Sequence, residues 1–127
     1  MVMERAPETR QRTHAILVVD DEPGVLRLLG IVLRELGCEV RFASTAETAL
    51  LELKELHPDV VLTDVRLPGI DGVELARRIH ADAELCDAHV ILMSAYGRPR
   101  GVQGDAFIAK PFDLEALVET VRNYAAG

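Results

Sequence analysis

The sequence predicts an α/β fold built on a parallel sheet, and three observations carry that prediction. Five short apolar segments alternate with amphipathic helical segments along the chain, the pattern expected of parallel strands joined by helical crossovers. Strand-like segments such as Ala15–Val19 and Val90–Met93 are apolar at nearly every position, as required of strands covered on both faces. The segments are also closed by helix-capping and turn residues in the expected order.

Strand one is Ala15–Val19. Helix one follows from Pro23 to Leu36, with Leu26, Leu29, Val32 or Leu33, and Leu36 at helical spacing; Pro23 suits the first turn and Gly37 the position just past the end. Strand two, Glu39–Ala43, alternates polar and apolar residues and belongs at a sheet edge. Ser44 with Glu47 forms a capping-box pattern that opens helix two, whose core residues are Leu50, Leu53 and Leu56. Pro58 stops that helix, and Val60–Thr63 makes strand three. After the turn Leu67–Gly72, Asp71 caps helix three with Glu74 three residues on. Strand four is His89–Met93, strand five Ala106–Ala109, and Asp113 caps a last helix with a Leu114, Leu117, Val118, Val121 stripe. The connection 95–105 breaks the pattern. It holds Gly97, Pro99, Gly101 and Gly104 with hardly any apolar period, and its length sits at the lower limit for a parallel crossover. A stunted helix, or none, is expected there.

A length of 127 residues suits one domain, and 49% hydrophobic residues suffice for a core without disulfide or metal staples. Residues 1–13 read as a flexible polar tail rather than a signal peptide, and residues 14–127 as the domain. No apolar run is long enough to span a bilayer, so no membrane partner is expected. Cys38 and Cys86 lie far apart and form no paired motif, consistent with a reducing cytoplasm. His14, His57, His80 and His89 lack zinc-ligand spacing. A net charge of −7 opposes a nucleic-acid surface.

The chemistry lies where strands end. Asp20 and Asp21 follow strand one, Asp64 follows strand three, Ser94 follows strand four and Lys110 follows strand five. In a parallel sheet those ends share one edge, where ligands bind. Each residue alone has a plainer role: Asp20-Asp21 and Asp64 as helix caps, Ser94 as a loop hydroxyl, Lys110-Pro111 as a turn, Phe107 as core. Their joint occurrence at one register favours a site. Three crowded carboxylates would raise at least one pKa, and a hard cation resolves the crowding. Mg²⁺ suits few carboxylates, several waters and a substrate phosphate. Asp21 and Asp64 are the expected direct ligands, with Asp20 holding a coordinated water. Lys110 brings the sum of charges to zero before a phosphoryl group arrives. The arrangement favours attack by an Asp64 oxygen on an activated phosphorus. Ser94 and main-chain N–H groups near Val65, Arg66 and Ala95 would hold the phosphoryl oxygens.

Through Asp20-Asp21, the Asp64-x-x-x-Pro68-Gly-x-Asp-Gly72 segment, Ser94-Ala95 and Lys110-Pro111-Phe112, the chain resembles the receiver domain of two-component response regulators. The resemblance covers residues 15–123. It implies a flavodoxin-like (βα)5 three-layer sandwich, sheet order 2-1-3-4-5, with the fourth helix shortened or missing. It implies Asp64 as phosphoacceptor, charged by the phosphohistidine of a sensor histidine kinase or phosphotransfer protein. It further implies Mg²⁺ held by the Asp21 and Asp64 carboxylates and the Arg66 main-chain carbonyl, with Asp20 in support, and a cis Lys110–Pro111 peptide. Ser94 and Phe107 match the family's switch pair, which passes phosphorylation on to an unknown downstream protein. The domain would be a cytoplasmic signalling protein rather than an enzyme, a monomer or weak homodimer. Bulky Arg66 and Tyr96 beside the route of an attacking water imply slow autodephosphorylation. The stretch from Ser94 to Lys110 departs from the family in being short, which puts output through the usual face in doubt.

Three other readings of these residues are possible. A pseudo-receiver would bind partners without phosphorylation. A phosphatase with an aspartyl-phosphate intermediate needs an acid two residues after the nucleophile, where Arg66 stands. A flavin binder would not follow strand one with Asp-Asp-Glu.

Overall fold

The computed structural model describes residues 14–99 and 104–126. The expected tail, 1–13, lies outside the described residues. Five strands, β1 (Ala15–Val19), β2 (Glu39–Ala43), β3 (Val60–Asp64), β4 (His89–Ser94) and β5 (Ala106–Ala109), form one parallel sheet in the order β2-β1-β3-β4-β5. The helices among the described residues are α1 (Pro23–Glu35), α2 (Ala46–Leu56), α3 (Gly72–Ala81) and α4 (Leu114–Ala126). This is the flavodoxin-like sandwich, with β2 at an edge as its alternating sequence requires.

Two apolar layers hold it together. On one face, Leu17, Val19, Val61 and Leu92 meet Ala49 and Leu53 of α2 and Leu75, Ala76 and Ile79 of α3. On the other, Ile16, Val18, Leu62, Ile91 and Met93 meet Leu29 and Leu33 of α1 and Leu117 and Val121 of α4. The alternation follows from the two-residue period of a strand, and cover on both faces explains why the polar residues of β1, β3 and β4 are confined to the strand ends, at Thr63, Asp64, His89 and Ser94.

The helix ends largely follow the predicted chemistry. Pro23 opens α1. Beyond α1, Gly37 takes φ 88°, and its N–H donates to Arg34 O at 2.9 Å while Cys38 N–H donates to Leu33 O at 3.3 Å. That pair of bonds is a Schellman close, which needs a residue with positive φ. Asp71 caps α3 by accepting from Glu74 N at 2.8 Å, and Asp113 accepts from Glu115 N at 2.9 Å. The expected Ser44–Glu47 box does not form. Thr45 is the cap of α2, its hydroxyl accepting from Thr48 N at 3.0 Å. Starting α2 one residue later puts Ala46, Ala49 and Leu53 on the buried face, and that packing outweighs the local pattern.

The connection between β4 and β5 is as spare as its sequence implies: residues 95–99 and 104–105 carry no helix, and 100–103 lie outside the described residues. α4 covers Ala106 and Ile108 of β5 from one side. On the other side Phe107 packs against the α2–α3 layer but stays only partly buried.

Candidate functional site

Register brings the candidate residues together. Val19 pairs with Thr63, Asp64 with Met93 and Ser94 with Ala109, so Asp20, Asp64, Ser94 and Lys110 stand side by side at the carboxyl edge. Asp20 is fully buried, Asp64 is 7% exposed and Ser94 2% exposed, whereas Asp21 is exposed. Single carboxylate oxygens of Asp20, Asp21 and Asp64 all lie within 4.8 Å of one another. Such a set of hard oxygen donors beside open solvent fits a Mg²⁺ that keeps several waters.

Lys110 closes the group. Its ammonium donates to Asp20 Oδ2 at 2.7 Å, to Glu22 Oε1 at 3.1 Å and to Asp64 Oδ2 at 3.3 Å. The Lys110–Pro111 peptide is cis, as the resemblance implied. Burial works against the ammonium, but its bonds to Asp20 and Glu22 and the charges of Asp20 and Asp64 prevail, holding its pKa well above the ordinary lysine value. Asp64 moves the other way from an ordinary ion-paired carboxylate. Burial pushes its pKa up; the Lys110 charge opposes this, the Asp20 charge reinforces it, and a main-chain hydrogen bond from Arg66 opposes it again. Its ionised form is therefore disfavoured in the absence of a further cation.

Backbone contacts hold Asp64 in place. Thr63 Oγ1, fully buried, donates to Asp64 O at 2.9 Å. Gly72 N–H donates to Val65 O at 2.8 Å, and α3 thereby starts flush against the end of β3. A Cβ at Gly72 would press on Asp64 O and lie 3.0 Å from Asp64 C and from Val65 Cα. In the sequence Gly72 reads as turn chemistry and as the end of the segment shared with the receiver family, with no contact to Asp64 implied. Its signal was a glycine at the first helical position, where a better helix former would otherwise serve. Nor did the sequence point to Glu22 as a third acceptor for Lys110.

The Val65 N–H, expected to face the phosphoryl group, is engaged elsewhere, donating to Met93 O at 2.8 Å. The sheet ladder claims it because β3 and β4 continue pairing to their ends. Arg66 N–H, by contrast, is directed at Asp64. Ser94 Oγ accepts from Tyr96 N at 2.9 Å. Ser94 and Phe107 lie toward the same sheet face, since Leu92, two residues before Ser94, is the register partner of Phe107. In the chain segments that follow β3 and β4, the Arg66 guanidinium sits 4.6 Å from the ring centroid of Tyr96, which is 74% exposed.

A five-stranded parallel sheet in the order β2-β1-β3-β4-β5, with an acidic trio, a hydroxyl and a lysine at one edge, has the architecture of a receiver domain. The profile of the response regulator receiver domain matches residues 16–122, and the chain belongs to that family. Sporulation initiation phosphotransferase F of Bacillus subtilis is 34% identical over 115 residues, covering 86% of this chain and 91% of the relative. The DNA-binding response regulator MtrA of Mycolicibacterium smegmatis is 36% identical over 121 residues, covering 89% of this chain. The chain spans about half the length of MtrA and of several other curated relatives it matches (50%, 47% and 49% for three of them). Among solved structures, response regulator TrrA of Thermotoga maritima, in complex with Mg²⁺–BeF, superposes with a TM-score of 0.80 at 35% identity, covering 88% of this chain and 99% of TrrA.

Proposed function

We propose that this domain is a phosphorylation switch in which Asp64 accepts a phosphoryl group from the phosphohistidine of a sensor histidine kinase or phosphotransfer protein. The observation that carries the proposal is the convergence of Asp20, Asp64 and Lys110, from three strand ends, on contacts of 2.7 and 3.3 Å. In the transfer, an Asp64 oxygen forms a bond to phosphorus as the phosphorus–imidazole bond breaks, and the electron pair leaves with the imidazole. No proton has to move at Asp64, so the domain contributes position and charge. Lys110 would trade its carboxylate partners for a phosphoryl oxygen, and Ser94 would donate to another.

The acidic trio together with the Arg66 main-chain carbonyl would hold Mg²⁺, which when bound neutralises the phosphoryl oxygens. The domain's own residues do the rest. Asp20 anchors Lys110 and turns the chain after β1 by accepting from Glu22 N at 2.9 Å. Arg66 and Tyr96 cap the approach of water, giving a slow return to the resting state. Asp64 is consumed once per transfer, so the domain is a phosphoacceptor and not a turnover enzyme. Ser94 moving to the phosphoryl group, with Phe107 turning inward, would change the surface offered to a downstream protein in the cytoplasm. No helix of the described residues is long and apolar enough to cross a membrane.

The spare β4–β5 connection favours a second reading, a pseudo-receiver that binds partners without phosphorylation. Intact-mass spectrometry after incubation with acetyl phosphate and Mg²⁺ separates the two. A Mg²⁺-dependent phosphoryl adduct absent from Asp64→Asn supports the switch. A folded wild-type protein that takes no adduct, sampled before hydrolysis, refutes it in favour of the pseudo-receiver.

A further inference from the structure

We infer that Asp105 is a positioning residue that sets the register of β5 and thereby delivers Lys110 to Asp64; the inference rests on the phosphoacceptor reading above. β5 is four residues long and lies at the sheet edge with β4 as its one partner. All its residues are apolar, and none is fully buried. Its faces are packed but only in part, so burial specifies its register less firmly than in the fully buried strands. A slip of one residue would exchange the faces of Phe107 and Ile108 and carry Lys110 about 3.3 Å along the sheet. The Lys110–Asp64 contact is itself only 3.3 Å, so it would not survive.

Among the described residues no helix lies between β4 and β5 to brace the start of β5. Asp105 takes that part. Its N–H donates to Val90 O at 2.7 Å, and its Oδ2 accepts from Val90 N at 2.7 Å. One residue thus engages both main-chain groups of one residue of β4. The same Oδ2 lies 3.4 Å from His80 Nε2 of α3, and Oδ1 lies 4.0 Å from His89 Nδ1. Its carbonyl accepts from the Tyr124 hydroxyl of α4 at 3.0 Å. Gly104, just before, lets the chain run against β4, since a Cβ there would lie 2.8 Å from Leu92 Cγ and 3.3 Å from Val90 O. The pin and the lysine then belong to one extended segment. Its far end is set by Lys110 N–H donating to Ser94 O at 2.9 Å.

The test compares Asp105→Asn, Asp105→Glu and Asp105→Ala with wild type. Phosphoryl uptake from acetyl phosphate is followed by intact mass, and amide hydrogen exchange by NMR. Asn keeps an oxygen for Val90 N without the charge; Glu keeps the charge and misplaces the oxygen. The expected result is near-wild-type uptake in Asp105→Asn and uptake slowed about tenfold or more in Asp105→Glu and Asp105→Ala, since small misplacements are costly. Exchange at the Lys110 amide should rise in those two variants while amides of β1 and β3 keep their protection. Wild-type uptake in both Glu and Ala variants overturns the inference, as does equal loss in Asn and Ala. Should Asp105→Ala not fold, the Asn–Glu contrast decides alone. If wild type itself takes no phosphoryl group, the phosphoacceptor reading falls, and the Lys110 exchange comparison still decides the register.

Discussion

Replacing Gly72 by alanine adds one methyl where α3 begins, and the structure says how much that methyl costs. The new Cβ would meet the Asp64 carbonyl and lie 3.0 Å from both Asp64 C and Val65 Cα. Ordinary carbon–carbon contacts are about 3.5–4.0 Å, and all the obstructing atoms are backbone, so no rotamer can relieve the overlap. Overpacking of this kind costs about 1–3 kcal/mol, and rigid surroundings favour the upper end. Against it stands the reduced freedom of the unfolded chain, which stabilises a Gly→Ala variant by about 0.4–1 kcal/mol where the backbone permits alanine. The net is a loss of about 2 kcal/mol, or roughly 8 °C in melting temperature for a domain of this size. Gly24→Ala is the matched control, because it lies in α1 with nothing within 4 Å of its Cβ, and it should melt at or slightly above wild type. Thermal unfolding by circular dichroism measures both. Because the overlap displaces the Asp64 backbone, phosphoryl uptake in Gly72→Ala should also slow. A Gly72→Ala protein that melts with or above wild type would refute the close approach of α3 to β3.

Two further predictions concern the same edge. Burial raises the Asp64 pKa in the folded chain, so its ionisation costs stability that is present at low pH and lost as pH rises through the folded pKa. Without Mg²⁺, Asp64→Asn should therefore melt above wild type at pH 7 and converge with it near pH 4, and thermal unfolding in EDTA across that range checks the sign. Arg66→Gly with Tyr96→Gly removes the stacked pair proposed to hinder water and should speed loss of the phosphoryl adduct several-fold; an unchanged decay by intact mass would remove both residues from the water route.

Most of the fold was legible because each local signal agreed with the next. Apolar strands, Pro23, Gly37 and the Asp71 and Asp113 caps each marked an element that the packing then kept. The site was legible for a topological reason: a parallel sheet gathers strand-end residues at one edge. What escaped was whatever depended on distance across the chain or on packing phase. Ser44 and Thr45 are both able caps, and only burial of Ala46 and Ala49 selects Thr45. The Val65 N–H could be assigned to Met93 only once the length of β4 was known. Asp105 and Val90 are fifteen residues apart, and no pattern in the sequence pairs a loop aspartate with a strand amide. Gly72 is constrained by a neighbour's backbone and not by its own φ, so turn chemistry gave no hint of it.

Ser94 joins the proposed switch to the mouth of the site. Its hydroxyl oxygen already accepts from Tyr96 N at 2.9 Å, and Tyr96 carries Arg66 against its ring. A hydroxyl can donate to a phosphoryl oxygen while still accepting, but movement toward the phosphoryl group lengthens the Tyr96 bond unless Tyr96 follows. The stacked pair would then be drawn along with Ser94. Phe107 is partly buried on the same sheet face and packs against the apolar layer there, and among the described residues no helix joins β4 to β5, so its inward turn would not have to displace a connecting helix. The economical consequence is a switch whose largest surface change falls at Arg66 and Tyr96, beside the site, instead of on a remote helix. Backbone chemical shifts with and without beryllofluoride and Mg²⁺ bear on this directly. The greatest changes should map to residues 65–67 and 94–97, and a response centred on α4 would show that the signal leaves by another route.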